Sequence, residues 1–533
     1  MEFDYVIVGG GSAGSTLAGR LSADPSLRVC LIEAGPGDDN VMCRVPFATA
    51  IFIPGKWRNW AFETEPQANL NGRRGYQPRG RMLGGSSGLN AMIYVRGHPS
   101  DYDDWAAQGA QGWAFADVLP YFKRSEANER LGGDLHGRDG PLNVADLVSP
   151  NPINDVFLSA CDALQLPRNT DFNGPAQEGV GLYQVTQKNG ERWSAARAYL
   201  PPEARSRPNL HIECGTRVQR ISIENARATG VVCGRKPGGE TTAIAARRGV
   251  ILAAGAFQSP QILMLSGVGP GAEVKRHGIA VVRDLPGVGR NLQDHLDFTL
   301  LYRASSPSLF GFTPKGLARL PGEIVRWRRE RKGLLTTNFA ESGGFLKTDP
   351  ALSRPDIQLH FVVGLVEDHA RKRHFATGYS LHTCVLRPKS RGCVGLADAD
   401  PFSAPRIDPQ FLSQPDDLGV LVKGVKLGRR IMGAPPFQAI RPEELYTKRV
   451  HDDADLIAQI RARADTIYHP IGTCRMGSAC DPDAVVDPRL KVRGLERLHV
   501  VDASVMPTLV GGNTNAPTIM IAEKAVDMLR GTA

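Results

Sequence analysis

No stretch of eighteen apolar residues occurs in this 533-residue chain, so no membrane-spanning helix is expected. Paired cysteines are missing too. The nine that occur (Cys30, Cys43, Cys161, Cys214, Cys233, Cys384, Cys393, Cys474, Cys480) are scattered and odd in number, with no C-x-x-C. Neither a zinc site nor a disulfide framework is expected, and a reducing compartment fits. Internal repeats and low-complexity tracts are absent. Charge of one sign never accumulates over long stretches: the net charge is +9, but 55 acidic residues are interspersed among 64 basic ones. That pattern argues against a nucleic-acid partner. With no basic leader before the first strand-like run, a cytoplasmic location is expected. The densest basic segment, 324–332 around Trp327, reads as a solvated face. Its alternative is peripheral contact with the inner face of a membrane.

What is present starts at the N-terminus. Tyr5-Val6-Ile7-Val8 suits a strand buried on both faces, and Ala13, Leu17 and Leu21 follow at helical spacing. Between them Gly9, Gly11 and Gly14 fit G-x-G-x-x-G, where the chain turns tightly, lets a pyrophosphate approach and packs helix on strand. The helix start, at Ser12 and Ala13, offers unpaired N–H groups to phosphates. Glu33, closing the second strand beside Ala34, is placed to accept hydrogen bonds from an adenosine ribose. The expected fold class is therefore α/β, a Rossmann-type dinucleotide domain, which alone does not separate FAD from NAD.

Further landmarks follow in order. Gly80–Gly97 carries small residues that expose backbone N–H groups. Arg192–Leu200, Gly255–Gly269 and Leu285–His295 come next, then Tyr468–Gly477, Val500–Thr508 and Gly511–Pro517. Together they resemble the glucose-methanol-choline (GMC) oxidoreductases, FAD enzymes that oxidise alcohols, and the likeness, closest in character to choline dehydrogenases, spans residues 4 to 530. The resemblance implies FAD held by the cradle, by Arg81, Gly84, Gly85, Ser86, Asn90, Ala91 and Met92, and by Val218, Ala254, Gly255, Asp502, Ala503 and Thr514. Where covalently flavinylated choline oxidases carry a His, this chain has Leu89, so FAD is expected to be non-covalent.

The resemblance also implies a catalytic pair, His469 and Asn513. A neutral imidazole suits removal of a hydroxyl proton, and a side-chain amide suits a developing alkoxide. Pro517 and the run after it predict a helix with Pro in its first turn. A carboxylate at Asp502 is expected to sit among ribityl hydroxyls or backbone N–H groups. Glu341 matches the position of a substrate carboxylate in choline-handling relatives, with Phe339 and Phe345 as the nearest aromatics. His98, His295, His360 and His499 are read as structural.

Alternating patterns such as Ser380–Leu386 and a helical run over Asp417–Met432 predict an antiparallel sheet backed by helices. The expected division gives 1–155, 205–297 and 465–533 to the FAD domain, and 156–204 and 298–464 to a discontinuous substrate domain. Oxidation of a primary alcohol is favoured, with a quinone-type or artificial acceptor. Choline as substrate, oxygen as acceptor and a hydroxynitrile lyase are the alternatives. No metal is expected.

Overall fold

The computed structural model describes residues 1–306 and 308–531. Two seven-stranded sheets organise the described residues. In the first, Leu210–Cys214, Val29–Glu33, Glu2–Val8 and Thr241–Leu252 lie side by side and parallel. Val6, Ile7, Val250, Ile251 and Leu252 are wholly buried, as strands covered on both faces require. Thr241–Leu252 does double duty. Its first half pairs antiparallel with Arg227–Gly234, and Val250–Leu252 pair parallel with Leu498–Val500. The chain thus leaves this sheet after residue 33, returns at 210 and closes it at 500.

Helices Ser12–Leu21 and Asn515–Arg530 pack together against this sheet, and Pro517 stands in the first turn of the second helix. Arg20 and Arg124 both pair with the buried Glu523 and tie the two helices to the 115–125 helix.

The second sheet is antiparallel throughout, in the order Glu443–Leu445, Leu296–Arg303, Gly378–Val385, Ile357–Val362, Ala340–Leu346, Gly179–Leu182. One face, through Phe298, Leu300, Leu359, Phe361 and Leu381, packs on helices Pro415–Met432 and Ile153–Ala163. The other face carries Asp297, His382, His360 and Gln358 toward the first sheet, because paired residues of an antiparallel ladder share a face.

One stretch departs from the expected division. Ala195–Tyr199, placed with 156–204 in the substrate half, packs instead in the core of the first sheet, against helix Ser12–Leu21. Small residues make that approach feasible: a Cβ on Gly19 would come within 2.2 Å of the Tyr199 carbonyl oxygen. No helix among the described residues is long and apolar enough to cross a membrane.

Candidate active site

A long cavity runs from the N-terminal turn to the wall of the second sheet. At its first end Gly9 has φ 99°, and a Cβ there would strike the Ala253 carbonyl. A Cβ on Gly14 would lie 1.8 Å from the Gly9 oxygen, so this glycine packs helix on turn and does not itself line the cavity. Gly11 differs from both, since its missing Cβ faces open space, with Gly85 Cα the nearest atom at 3.9 Å. Gly9, Gly11, Ser12 and Ala13 line the space at the helix start, with Glu33 and Ala34 beside them.

The Glu33 carboxylate accepts from the backbone N–H groups of Gly10 (2.8 Å) and Gly35 (2.7 Å). Burial nevertheless pushes its pKa up to about 7. The glycine-rich loop lies on this cradle through Gly84, whose N–H donates to Gly10. Gly84 (φ 96°) and Gly85 (φ 51°) take backbone conformations that favour glycine. Arg192 clamps the same loop from behind, donating to the Ser87 carbonyl, Asn90 Oδ1 and the Thr49 hydroxyl. Gly85, Ser86, Asn90, Ala91 and Met92 then line the cavity, as do Val218, Ala254, Gly255, Ala503 and Thr514.

Asp502 also lines it, and its carboxylate is fully engaged. Oδ2 accepts from Gly255 N–H (2.8 Å) and the Ser259 hydroxyl (2.6 Å), and Oδ1 from Ser504 N–H (2.8 Å). Arg79, half-buried on the cavity wall, donates to the Tyr468 carbonyl, and desolvation lowers its pKa to about 10.

At the far end His469 and Asn513 meet, Nε2 to Nδ2, at 3.2 Å. Asn513 Oδ1 accepts from Gln358 Nε2 at 3.1 Å. His469 Nδ1 lies 2.9 Å from His295 Nδ1, and the His469 backbone N–H donates to Asp294. Burial holds His469 well below the ordinary histidine range, with His295 and His360 adding to the effect. The ring is therefore a neutral imidazole at neutral pH.

A family profile described as GMC oxidoreductase matches residues 3–297 and, in its second part, 388–522. The chain belongs to the GMC oxidoreductase family. It is 49% identical to an alcohol dehydrogenase [acceptor] of Pseudomonas putida, over 99% of this chain and 95% of that one. It is 43% identical to the mitochondrial choline dehydrogenase of Homo sapiens, over 99% and 90%. Among solved structures, pyridoxine 4-oxidase from Mesorbium loti superposes with TM-score 0.88 at 34% identity, covering 98% of each chain. The formate oxidase of Aspergillus oryzae RIB40, a structure concerned with FAD modification, gives 0.90 at 27% identity, over 99% and 98%.

The family is FAD-binding. The cradle of this GMC oxidoreductase fits that cofactor: the space at Gly11, the helix start behind it and the two held carboxylates suit a dinucleotide.

Four expected site residues lie outside the cavity lining, Gly14 of the cradle among them. Arg81 is exposed and stacks its guanidinium on Trp60, 5.0 Å from the ring centroid, instead of entering the cavity. Gly84 shapes the loop from outside. Glu341 is the extra residue of a β-bulge between Ala340 and Ser342, which aims its carboxylate away from the cavity. It accepts there from Asn151 N–H, Asn154 Nδ2 and Thr337 Oγ1.

Other lining residues had no place in the expected site. His360, read as structural, pairs with His382 across adjacent strands and both line the cavity. Arg79, Trp60 and His369 come from loops and a short turn with no local motif, and Phe257 lies within the Gly255–Gly269 landmark with nothing to single it out. His295 stood inside a recognised landmark, directly after Asp294. Nothing in its spacing shows that it touches His469.

Proposed function

We propose that this protein oxidises a primary alcohol to an aldehyde, with His469 as base and Asn513 as the group that holds the alcohol oxygen. The observation that carries the reading is the 3.2 Å approach of Asn513 Nδ2 to a buried neutral imidazole inside the cavity. An alcohol oxygen entering between the two gives its proton to His469 Nε2. Asn513 Nδ2 donates to the same oxygen as negative charge develops there, and so orients the carbon beside it. FAD, when bound along the cradle, supplies the acceptor for the hydride at its N5 atom. Burial excludes water, and Arg79 adds a fixed positive charge to the cavity wall.

The substrate end favours an uncharged alcohol over choline. Phe47, Phe310, Phe312, Phe339 and Leu89 line it, whereas the carboxylates among the described lining residues are Glu33 and Asp502, both at the cradle. A quaternary ammonium would find aromatic faces there but no nearby acid. FAD is non-covalent in this reading, since Leu89 lines the wall where a histidine would be needed. A quinone-type or artificial electron acceptor is kept in this reading, with oxygen as the alternative: one relative is named for an unspecified acceptor and others as oxygen-dependent.

Peripheral membrane contact is part of the same proposal. On helix Pro314–Glu330, Leu317, Ile324 and Val325 recur at helical spacing and are exposed, with Arg328 and Arg329 beside them. Trp327 is not part of that stripe: it is buried and donates to the Gly190 carbonyl.

The test is the visible spectrum of the holoprotein, recorded anaerobically with butanol, benzyl alcohol and choline in turn. Bleaching by the uncharged alcohols, lost by at least ~10²-fold in rate in His469→Ala, is expected. Air admitted last should restore the colour slowly if oxygen is not the acceptor. Preferential bleaching by choline would overturn the substrate assignment. Cyanide release from a hydroxynitrile without bleaching would replace the oxidation by a lyase reaction.

A further inference from the structure

We propose that His295 fixes the tautomer of His469, so that the nitrogen facing the cavity carries a lone pair before substrate arrives. This deepens the proposal above and rests on His469 acting as the base.

The two imidazoles meet edge to face, with ring centroids 5.1 Å apart at 89°, and their Nδ1 atoms are 2.9 Å apart. One must donate and the other accept. His295 decides which. Its Nε2 lies 2.9 Å from the Leu386 carbonyl oxygen, and a carbonyl only accepts, so Nε2 carries a proton. His295 is wholly buried and its pKa is lowered to about 4, so the ring holds one proton, and that proton is committed to Leu386. Nδ1 of His295 therefore presents a lone pair. His469 Nδ1 must be the donor, and the neutral ring is left bare at Nε2.

The other end of the chain of bonds gives the same answer. Gln358 Nε2 donates to Asn513 Oδ1, which turns the Asn513 NH2 group toward His469 Nε2. An N–H there meets a lone pair. Were the His469 proton on Nε2 instead, two N–H groups would face each other at one end and two lone pairs at the other. The mismatch between the two imidazoles would be buried and the one at Asn513 half-buried, and an unmade hydrogen bond is costly in both places.

Asn291–His295 thus grips His469 twice. Asp294 accepts its backbone N–H at 2.8 Å, and His295 accepts its side-chain proton. When Nε2 takes the alcohol proton, the imidazolium keeps its Nδ1–H bond to a neutral acceptor. A neutral partner, unlike a carboxylate, leaves the resting base unprotonated in mild acid. His295 touches neither the alcohol nor the cofactor site and is a positioning residue.

The experiment combines nitrogen-15 NMR of histidine-labelled holoenzyme with two substitutions. The His469 signals are assigned by their loss in His469→Ala. In the unsubstituted enzyme a pyrrole-like Nδ1 and a pyridine-like Nε2 are expected; the reverse would overturn the proposal even if every variant failed to fold. His295→Gln keeps an oxygen to accept from His469 and an amide N–H for Leu386, and should keep flavin reduction within about 5-fold. His295→Phe should lose at least ~10-fold in that rate with KM little changed, and should show mixed tautomers at His469. A Phe variant with full rate and an unchanged nitrogen spectrum would refute the role of His295. Retained rate in His469→Ala would instead sink the base assignment, a separate failure.

Discussion

Gly11 and Gly14, neighbours in one motif, should fail in different ways when replaced by alanine. Gly14→Ala places a Cβ 1.8 Å from the Gly9 carbonyl oxygen, roughly 1.4 Å inside an ordinary contact of about 3.2 Å. The helix is not free to retreat, because Gly19 already lies close to Tyr199 on one side and Ser15 bonds Gly10 and Gly11 on the other. Overpacking of this kind costs about 1–3 kcal/mol, and the gain of about 1 kcal/mol from alanine in a helix offsets only part of it. The apoprotein should lose stability and FAD affinity together.

Gly11→Ala meets nothing closer than 3.9 Å, and its φ of −73° suits any residue. Apoprotein stability should change by less than about 1 kcal/mol. Its methyl group would nevertheless project where a pyrophosphate must approach. Losing two charge-assisted hydrogen bonds at about 1.5 kcal/mol each predicts FAD binding weaker by ~10²-fold. Urea unfolding of both apoproteins, followed by FAD titration, separates the cases. A Gly11→Ala protein that binds FAD as tightly as the original would refute the placement of the phosphates, and a stable Gly14→Ala apoprotein would refute the packing argument.

Other outcomes follow from single observations. Glu341→Ala removes a buried acceptor of three hydrogen bonds, so it should cost about 2–3 kcal/mol in thermal unfolding and leave the choline-to-butanol rate ratio unchanged; a collapse of that ratio would restore Glu341 to the substrate site. As the proposed base, His469 would be active when neutral, and because burial depresses its pKa the rate of flavin reduction should fall only as pH drops well below the ordinary value of about 6.5; an acid limb at or above that value in stopped-flow data would contradict burial as the cause. Acid precipitation should leave the yellow colour in the supernatant, and a yellow pellet would show a covalent flavin. Vesicles with anionic lipid should sediment the protein at low salt, and Val325→Asp with Arg328→Glu should abolish this; equal recovery on neutral vesicles would end the membrane assignment.

The nucleotide half was readable because its signals are local. Val6–Val8, Gly9–Gly14 and Glu33 are thirty residues of strand, turn, helix and strand, and Gly9 and Gly14 have steric reasons in their neighbours whereas Gly11 borders open space. Helix Asn515–Arg530 and strand Gly378–Val385 announced themselves by Pro517 and by alternation. The wall of the cavity was less legible. His360 and His382 face it because two successive strands, Ile357–Val362 and Gly378–Val385, pair in one register across the irregular connection 363–377, and neither strand's own pattern discloses that register.

Glu341 shows why strand parity misleads at such a wall. A regular strand would send alternate residues from Phe339 onward to the same face, which would set Glu341 between Phe339 and Phe345, its nearest aromatics. The bulge between Ala340 and Ser342 breaks it. Phe339, at φ 66°, stays on the cavity, while Glu341 satisfies the turn before helix Ile153–Ala163, with Asn151 and Asn154 as its partners. One inserted residue thus moves a negative charge out of the substrate wall and leaves that wall aromatic. Residue identity at position 341 is therefore an incomplete guide to what the cavity wall presents, because the local backbone register decides which face the side chain takes.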